Sequence, residues 1–267
     1  MPRIRIFLPY VELLWKHIPA SLKKIKAAGF DGVECHLIGH FLSTTRIIKL
    51  RKEAAELGLG IRFHQGWSWE TGQRNPYNVI LRILGALVPA GTSLARQVRG
   101  VGTDPVVIYG NLVDKPTQLN YLYQTASEHV RGRVYAMQFD RFMSVVKSRK
   151  LRIVFDTQHI LEWFLNEHNM EGLFDSKTIR QIVSKLWQEL YPFTGEIHLS
   201  DFNPRLGRTR GLNVFLGDGV FPLAEFCTDV RASGWNGTVV PEVAPHHLWG
   251  TDRLRILHER VVQFFRE

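Results

Sequence analysis

The sequence predicts an α/β protein, a single (β/α)8 TIM barrel over residues 1–267. Three observations lead there. A helix–glycine–strand junction recurs three times, near both ends of the chain. Strand-like and helix-like stretches alternate between those junctions, the mark of βα units. The length of 267 residues is close to the roughly 250 typical of such barrels.

The first strand runs from Arg3 to Leu8 and lacks the glycine-rich phosphate turn that an open doubly wound sheet places after its first strand. An amphipathic helix follows from Pro19 to Ala28, with Leu22, Ile25 and Ala28 on one face. Gly29 stops it as a C-cap glycine, and Asp31 and Gly32 turn the chain into the strand Val33–Leu37. The second junction runs through Ile47, Ala54 and Leu57 to Gly58 and the strand Ile61–His64. The third runs from Pro222 through Phe226 and Val230 to Gly234, then turns at Asn236 and Gly237 into Val239–Glu242.

Between them, Val106–Tyr109, Leu151–Phe155 and Glu196–Leu199 read as strands, and Phe139–Ser148 and Ile179–Tyr191 as helices. The eighth strand is expected within 84–103 or 111–150. Leu84–Pro89 is the preferred segment, because it is apolar and bounded by Gly and Pro.

Composition narrows the function classes. The apolar fraction of 45% suits an ordinary globular protein. The longest apolar run, Val79–Gly91, is interrupted by Arg82 and Pro89 and is shorter than a membrane span, so no membrane role is expected. The N-terminus does not read as a signal peptide. Two distant cysteines, Cys35 and Cys227, exclude a disulfide scaffold, and a cytoplasmic location is expected. The formal charge of +9 keeps nucleic acid open as a partner, against the plainer reading of a basic solubilising surface.

Active sites of (β/α)8 barrels sit at the C-terminal ends of the strands. Glu34 and His36 end the second strand and His64 the third. Asp156 and His159 follow Leu151–Phe155, His198 and Asp201 lie at the next strand end, and Glu242 ends the last. Packing gives no reason to end core strands in this way, because buried charge is costly unless paired or bound to metal. Imidazoles and carboxylates converging on one mouth can hold Zn, Mn, Fe or a similar divalent cation.

These motifs resemble the xylose-isomerase-like barrels, which include sugar-phosphate isomerases, sugar epimerases and endonuclease IV. The most specific stretch is LGDGVFPLAEFCTDVRASGWNGTVVPE at 216–242. FDTQH at 155–159, IHLSD at 197–201 and AAGFDGVE at 27–34 resemble further elements of that family, and His64 matches its third-strand His.

The resemblance implies a divalent metal ion (Mn, Zn, Co or Mg) held by Asp156, His198 and Glu242. It implies catalytic roles for Glu242, His159 and Glu34, and substrate contacts from His64 and Arg205. Arg208 and Arg210 lie in the same loop, where three arginines suit an anionic group. Trp67, just past His64, can stack on a sugar ring or belong to the core.

Two positions depart from the family pattern. The family places a Glu, both ligand and acid/base, at the end of its fifth strand; VVIYGNL at 106–112 is the best local match and puts Gly110 there. Asn213 stands where endonuclease IV has a His. The implied activity is isomerisation or epimerisation of a small sugar or sugar-phosphate-like substrate. A non-catalytic ligand-binding barrel and an abasic-site nuclease are the alternatives.

Overall fold

A computed structural model describes residues 4–10, 22–36, 44–64, 100–109, 113, 120–126, 129–131, 134–135, 137–168, 175–203, 213–248 and 252–266. The strands are β1 (Arg5–Tyr10), β2 (Gly32–His36), β3 (Gly60–His64), β4 (Val106–Tyr109), β5 (Tyr121–Gln124), β6 (His129–Arg131), β7 (Val134–Tyr135), β8 (Ile153–Asp156), β9 (Thr194–Ser200) and β10 (Thr238–Glu242). The helices are α1 (Leu22–Ala27), α2 (Thr44–Glu56), α3 (Phe139–Arg149), α4 (Thr157–Glu167), α5 (Ser176–Leu190), α6 (Leu223–Ala232) and α7 (Arg253–Arg266).

Eight parallel strands close a barrel in the order β1-β2-β3-β4-β5-β8-β9-β10. The seam forms where Arg5 and Ile6 pair with Thr238 and Val239. β6 and β7 make a separate antiparallel hairpin. No helix among the described residues is long and apolar enough to cross a membrane.

Strand parity divides the side chains into two sets. Ile6, Leu8, Val33, Cys35, Ile197, Leu199 and Val239 join the main apolar core with the helices. The helices answer with residues three and four apart: Ile47, Leu50 and Ala54 on α2, Phe139, Phe142, Met143 and Val146 on α3, and Leu223, Phe226, Cys227 and Val230 on α6. Inside the barrel, among the described residues, Val107, Leu122 and Val154 form a separate apolar cluster. The other inward positions on β2, β3, β9 and β10 include Glu34, Arg62, His64, Glu196, His198 and Thr238, all buried.

The three predicted junction glycines sit at φ +101° (Gly29), +64° (Gly58) and +70° (Gly234), backbone that side-chain-bearing residues rarely adopt. The eighth strand differs from the expected segment. Tyr121–Gln124 fills that place, inside the second of the two windows, and pairs with β4 and β8. Leu84–Pro89 lies outside the described residues, and the barrel closes without it. Apolarity was a poor guide, because an inward strand in this barrel needs one apolar residue, Leu122, and ends in a polar one. The aromatic residues Tyr121 and Tyr123 carry its strand preference.

The glycine-rich turn at 216–219 is organised by Asp201. Its fully buried carboxylate accepts backbone N–H bonds from Phe202, Gly217, Gly219 and Phe221 at 2.8–3.1 Å. A Cβ at Gly219 would collide with that carboxylate. Asp201 therefore shapes the loop instead of facing the mouth. Asp201→Asn turns an N–H donor toward donors and is expected to destabilise the protein by about 1–3 kcal/mol, read from the urea midpoint. An unchanged midpoint would show that the turn holds itself.

Candidate metal centre

The site is built on consecutive strand ends. Asp156 pairs in register with His198, and Glu242 with Ser200. His198 lies at the centre and is completely buried. Its Nδ1 faces Glu242 Oε1 at 3.2 Å and Asp156 Oδ2 at 3.6 Å. Its Nε2 faces Glu34 Oε2 at 3.2 Å and Glu196 Oε1 at 3.4 Å. His64 stacks on the His198 ring, with centroids 5.5 Å apart.

Asp156 ends β8 where α4 begins, and its two oxygens divide their work. Oδ1 accepts the N–H groups of Gln158 at 3.1 Å and His159 at 2.8 Å, capping the helix. Oδ2 accepts Nε2 of Gln124 at 2.7 Å and faces His198. The helix cap thus aims the second oxygen into the barrel mouth.

Electrostatics follow from burial and neighbours. Burial pushes the Glu34 carboxyl up to about 8, with Glu196 adding to the rise and His198 opposing it. Burial would also raise Asp156, but His159 and His198 hold it at about 2. Burial opposes the charged form of His198, yet Glu34 and Glu242 outweigh it and hold the imidazole well above its ordinary range. His159 is half-exposed, and the carboxylates of Asp156, Glu162 and Glu242 overcome desolvation to raise it. Glu196 sits in the same buried layer, where desolvation is outweighed by Arg62, and its carboxyl is lowered. Arg62 Nε contacts Glu196 Oε2 at 2.8 Å, and its Nη2 donates to Thr238 Oγ1 at 2.9 Å.

Asp156, His198 and Glu242 each offer one ligand atom, all within 4.8 Å of one another. Two carboxylates and an imidazole are a donor set that suits a divalent cation. A second set, Glu34, His64 and His198, meets the same distance. The residues present therefore fit a metal ion.

Of the residues singled out from sequence, Glu34, His64, Asp156, His198 and Glu242 converge on this centre, and His159 stands beside it. Arg205, Arg208, Arg210, Trp67 and Gly110 lie outside the described residues. The expected match of Gly110 to the end of the fifth strand does not hold. Val106–Tyr109 is the fourth barrel strand, and the fifth ends at Gln124, which reaches the site. Asn213 adopts φ +52° and, through its backbone, links the first turn of α4 to the segment after β10. Its N–H bonds Gln158 Oε1 and its carbonyl accepts the Ala244 N–H.

Sequence reasoning missed Gln124, Arg62, Glu196 and Ser200. Glu196 and Ser200 share strand parity with His198, and Arg62 shares it with His64, so the alternation carried that signal. Ser200 Oγ donates to Glu242 Oε2 at 3.3 Å.

The fold has many solved relatives at low identity. An L-ribulose 3-epimerase structure is 16% identical, with a TM-score of 0.57, covering 99% of this chain and 95% of that one. D-psicose 3-epimerase from Clostridium cellulolyticum H10 is 15% identical, with a TM-score of 0.55 and coverage of 97% and 98%. The 3-keto-D-glucoside 4-epimerase from E. coli is 14% identical, with a TM-score of 0.52 and coverage of 96% and 100%. A search of curated protein sequences returns no match. A family model for the xylose isomerase-like TIM barrel matches residues 122–260, just over half of the sequence and including β8, β9, β10 and all of β5 but Tyr121. The chain belongs to the xylose isomerase-like TIM barrel family.

Proposed function

We propose that this chain is a divalent-metal-dependent isomerase or epimerase of a small sugar or sugar-phosphate-like substrate. The observation that carries this reading is the convergence of Asp156, His198 and Glu242 at adjoining strand ends. The fold likeness to three structures named as sugar epimerases supports the substrate class. A bound cation would polarise neighbouring substrate oxygens and acidify the adjacent C–H.

Glu242 is the member of the set open to the mouth, its side chain 15% exposed against 0% for Asp156 and His198. This position suits proton transfer at substrate carbon, with Ser200 steadying one oxygen. His159 is the adjacent imidazole for substrate contact or proton exchange. Glu34 is fully buried against Nε2 of His198, on the side away from Glu242, which suits orienting that ring. Arg205, Arg208 and Arg210, which follow β9 in the sequence, are assigned to an anionic substrate group, and Trp67 to the sugar face.

The two ligand sets share His198 through its opposite nitrogens. Filling both together needs a fully deprotonated ring, so the geometry favours one ion over the metal cluster of a nuclease. The set containing Glu242 is the one open to the mouth.

Metal analysis of protein purified without chelator tests the reading. Bound metal, or a rise in Tm with Mn2+, Co2+ or Zn2+, is expected; neither appearing would sink it. Glu242→Gln is expected to weaken Mn2+ binding by roughly tenfold to a hundredfold. Unchanged affinity would remove Glu242 from the ligand set. An incision assay on abasic duplex DNA separates the nuclease reading, and no cleavage is expected.

A further inference from the structure

Ser200 is fully buried at the end of β9 and pairs in register with Glu242 of β10. On its other side β8 has already left the sheet, because its last paired residue is Asp156, opposite His198. The Ser200 N–H and C=O therefore face a place where no strand continues, and buried peptide groups need partners. The Thr157 hydroxyl fills that place. It accepts the Ser200 N–H at 2.8 Å and donates to the Ser200 carbonyl at 2.9 Å. The His198 carbonyl, at 3.3 Å, is a second acceptor within its reach. A hydroxyl offers one donor and two acceptor sites, so one side chain replaces both halves of the missing peptide.

This replacement meets two demands at once. α4 starts at Thr157, so Asp156 can cap it with Oδ1 and keep Oδ2 for the mouth. β9 nonetheless keeps strand geometry as far as Ser200. Ser200 Oγ donates to Glu242 Oε2 at 3.3 Å, which leaves Oε1 to face His198 Nδ1 at 3.2 Å. We infer that Thr157 is a positioning residue of the centre. Its hydroxyl fixes the Ser200 end of β9, and Ser200 fixes which oxygen of Glu242 is offered to a cation.

This inference rests on the metal-binding reading above. Thr157 is fully buried and its hydroxyl bonds the β9 backbone, so its effect on an ion passes through Ser200 and Glu242. A β-branched side chain is restricted at χ1, which holds the hydroxyl on one peptide. Glu242 is the most exposed member of the set, so it relies most on an outer hydrogen bond to fix its carboxylate. Losing an outer partner of a metal ligand typically costs roughly tenfold to a hundredfold in affinity.

The test uses the full chain, Mn2+ titration calorimetry, the visible absorption of bound Co2+, and Tm in EDTA. Thr157→Val keeps the branched shape but removes both bonds to Ser200. It is expected to lower Tm by about 3 °C or more, to weaken Mn2+ binding roughly tenfold, and to alter the Co2+ band. Thr157→Ser restores the hydroxyl and is expected to return both metal readouts close to wild type. Ser200→Ala leaves the Thr157 bonds in place and is expected to weaken Mn2+ binding severalfold. The double variant is expected to bind no more weakly than Thr157→Val alone, because both act through one bond. A Thr157→Val protein with a lowered Tm, but with Mn2+ affinity within twofold of wild type and the same Co2+ band, would overturn the inference. Additive losses, or a Ser200→Ala affinity within twofold of wild type, would also overturn it, and the Ser200→Ala result decides if Thr157→Val does not fold. Each of these results leaves the metal reading standing, whereas failure of wild type itself to take up metal would overturn both.

Discussion

Arg62→Met is expected to cost about 3–5 kcal/mol of folding stability, measured by guanidinium unfolding. Arg62 reaches into the barrel from β3, 6% exposed, and pairs with a Glu196 that is 0% exposed. Methionine keeps the length and the packing over Phe7 but removes the charge. Glu196 would then be a buried carboxylate beside Glu34, with only His198 to serve both. Removing one partner of a buried pair costs far more than removing both. Arg62→Met combined with Glu196→Leu is therefore expected to recover most of the loss. A single-variant loss under about 1 kcal/mol would mean that the pair does not hold this layer together.

His198→Ala is expected to abolish metal binding and to destabilise the apoprotein by roughly 3–5 kcal/mol at pH 6.5, because Glu196, Asp156 and Glu242 lose their shared cation. The pH dependence has a definite sign. Burial lowers the affinity of His198 for its proton, but the surrounding carboxylates outweigh it and the folded value lies well above the ordinary one. The stabilisation is thus complete below the unfolded value near 6.5 and is lost as pH rises through the folded value.

The stability gap between wild type and variant should shrink as pH rises from about 6.5 through the folded value of His198. Wild-type affinity for Mn2+ should rise over the same interval, since a ligand imidazole must give up its proton. Urea unfolding and calorimetry at three pH values read both trends. A gap that grows with pH would contradict this picture of His198.

The barrel was legible because its signals are local. Helix-stopping glycines at Gly29, Gly58 and Gly234, each followed within a few residues by a strand, need no partner strand to be read. Asp156, His198 and Glu242 could be picked out because each ends a strand. Gln124 could not, because its place depends on recognising Tyr121–Gln124 as the fifth barrel strand, and four residues of mixed polarity carry little periodicity. The pairing of Arg62 with Glu196 was hidden for another reason. Each reads as a surface charge in isolation, and only barrel closure turns them toward each other. The role of Asp201 depended on four backbone N–H groups from a loop that composition cannot fold.

The polar layer inside the barrel also bears on how the chain assembles. Glu34 and His198 are 164 residues apart, and Arg62 and Thr238 are 176 residues apart. The first three strands therefore carry a carboxylate and a guanidinium whose partners are synthesised last. Burying those groups before β9 and β10 are in place would cost free energy, because neither would have its partner. Contacts of such long sequence separation slow closure. Both the candidate metal centre and the seam of the barrel depend on β10, which ends in Glu242 and pairs with β1.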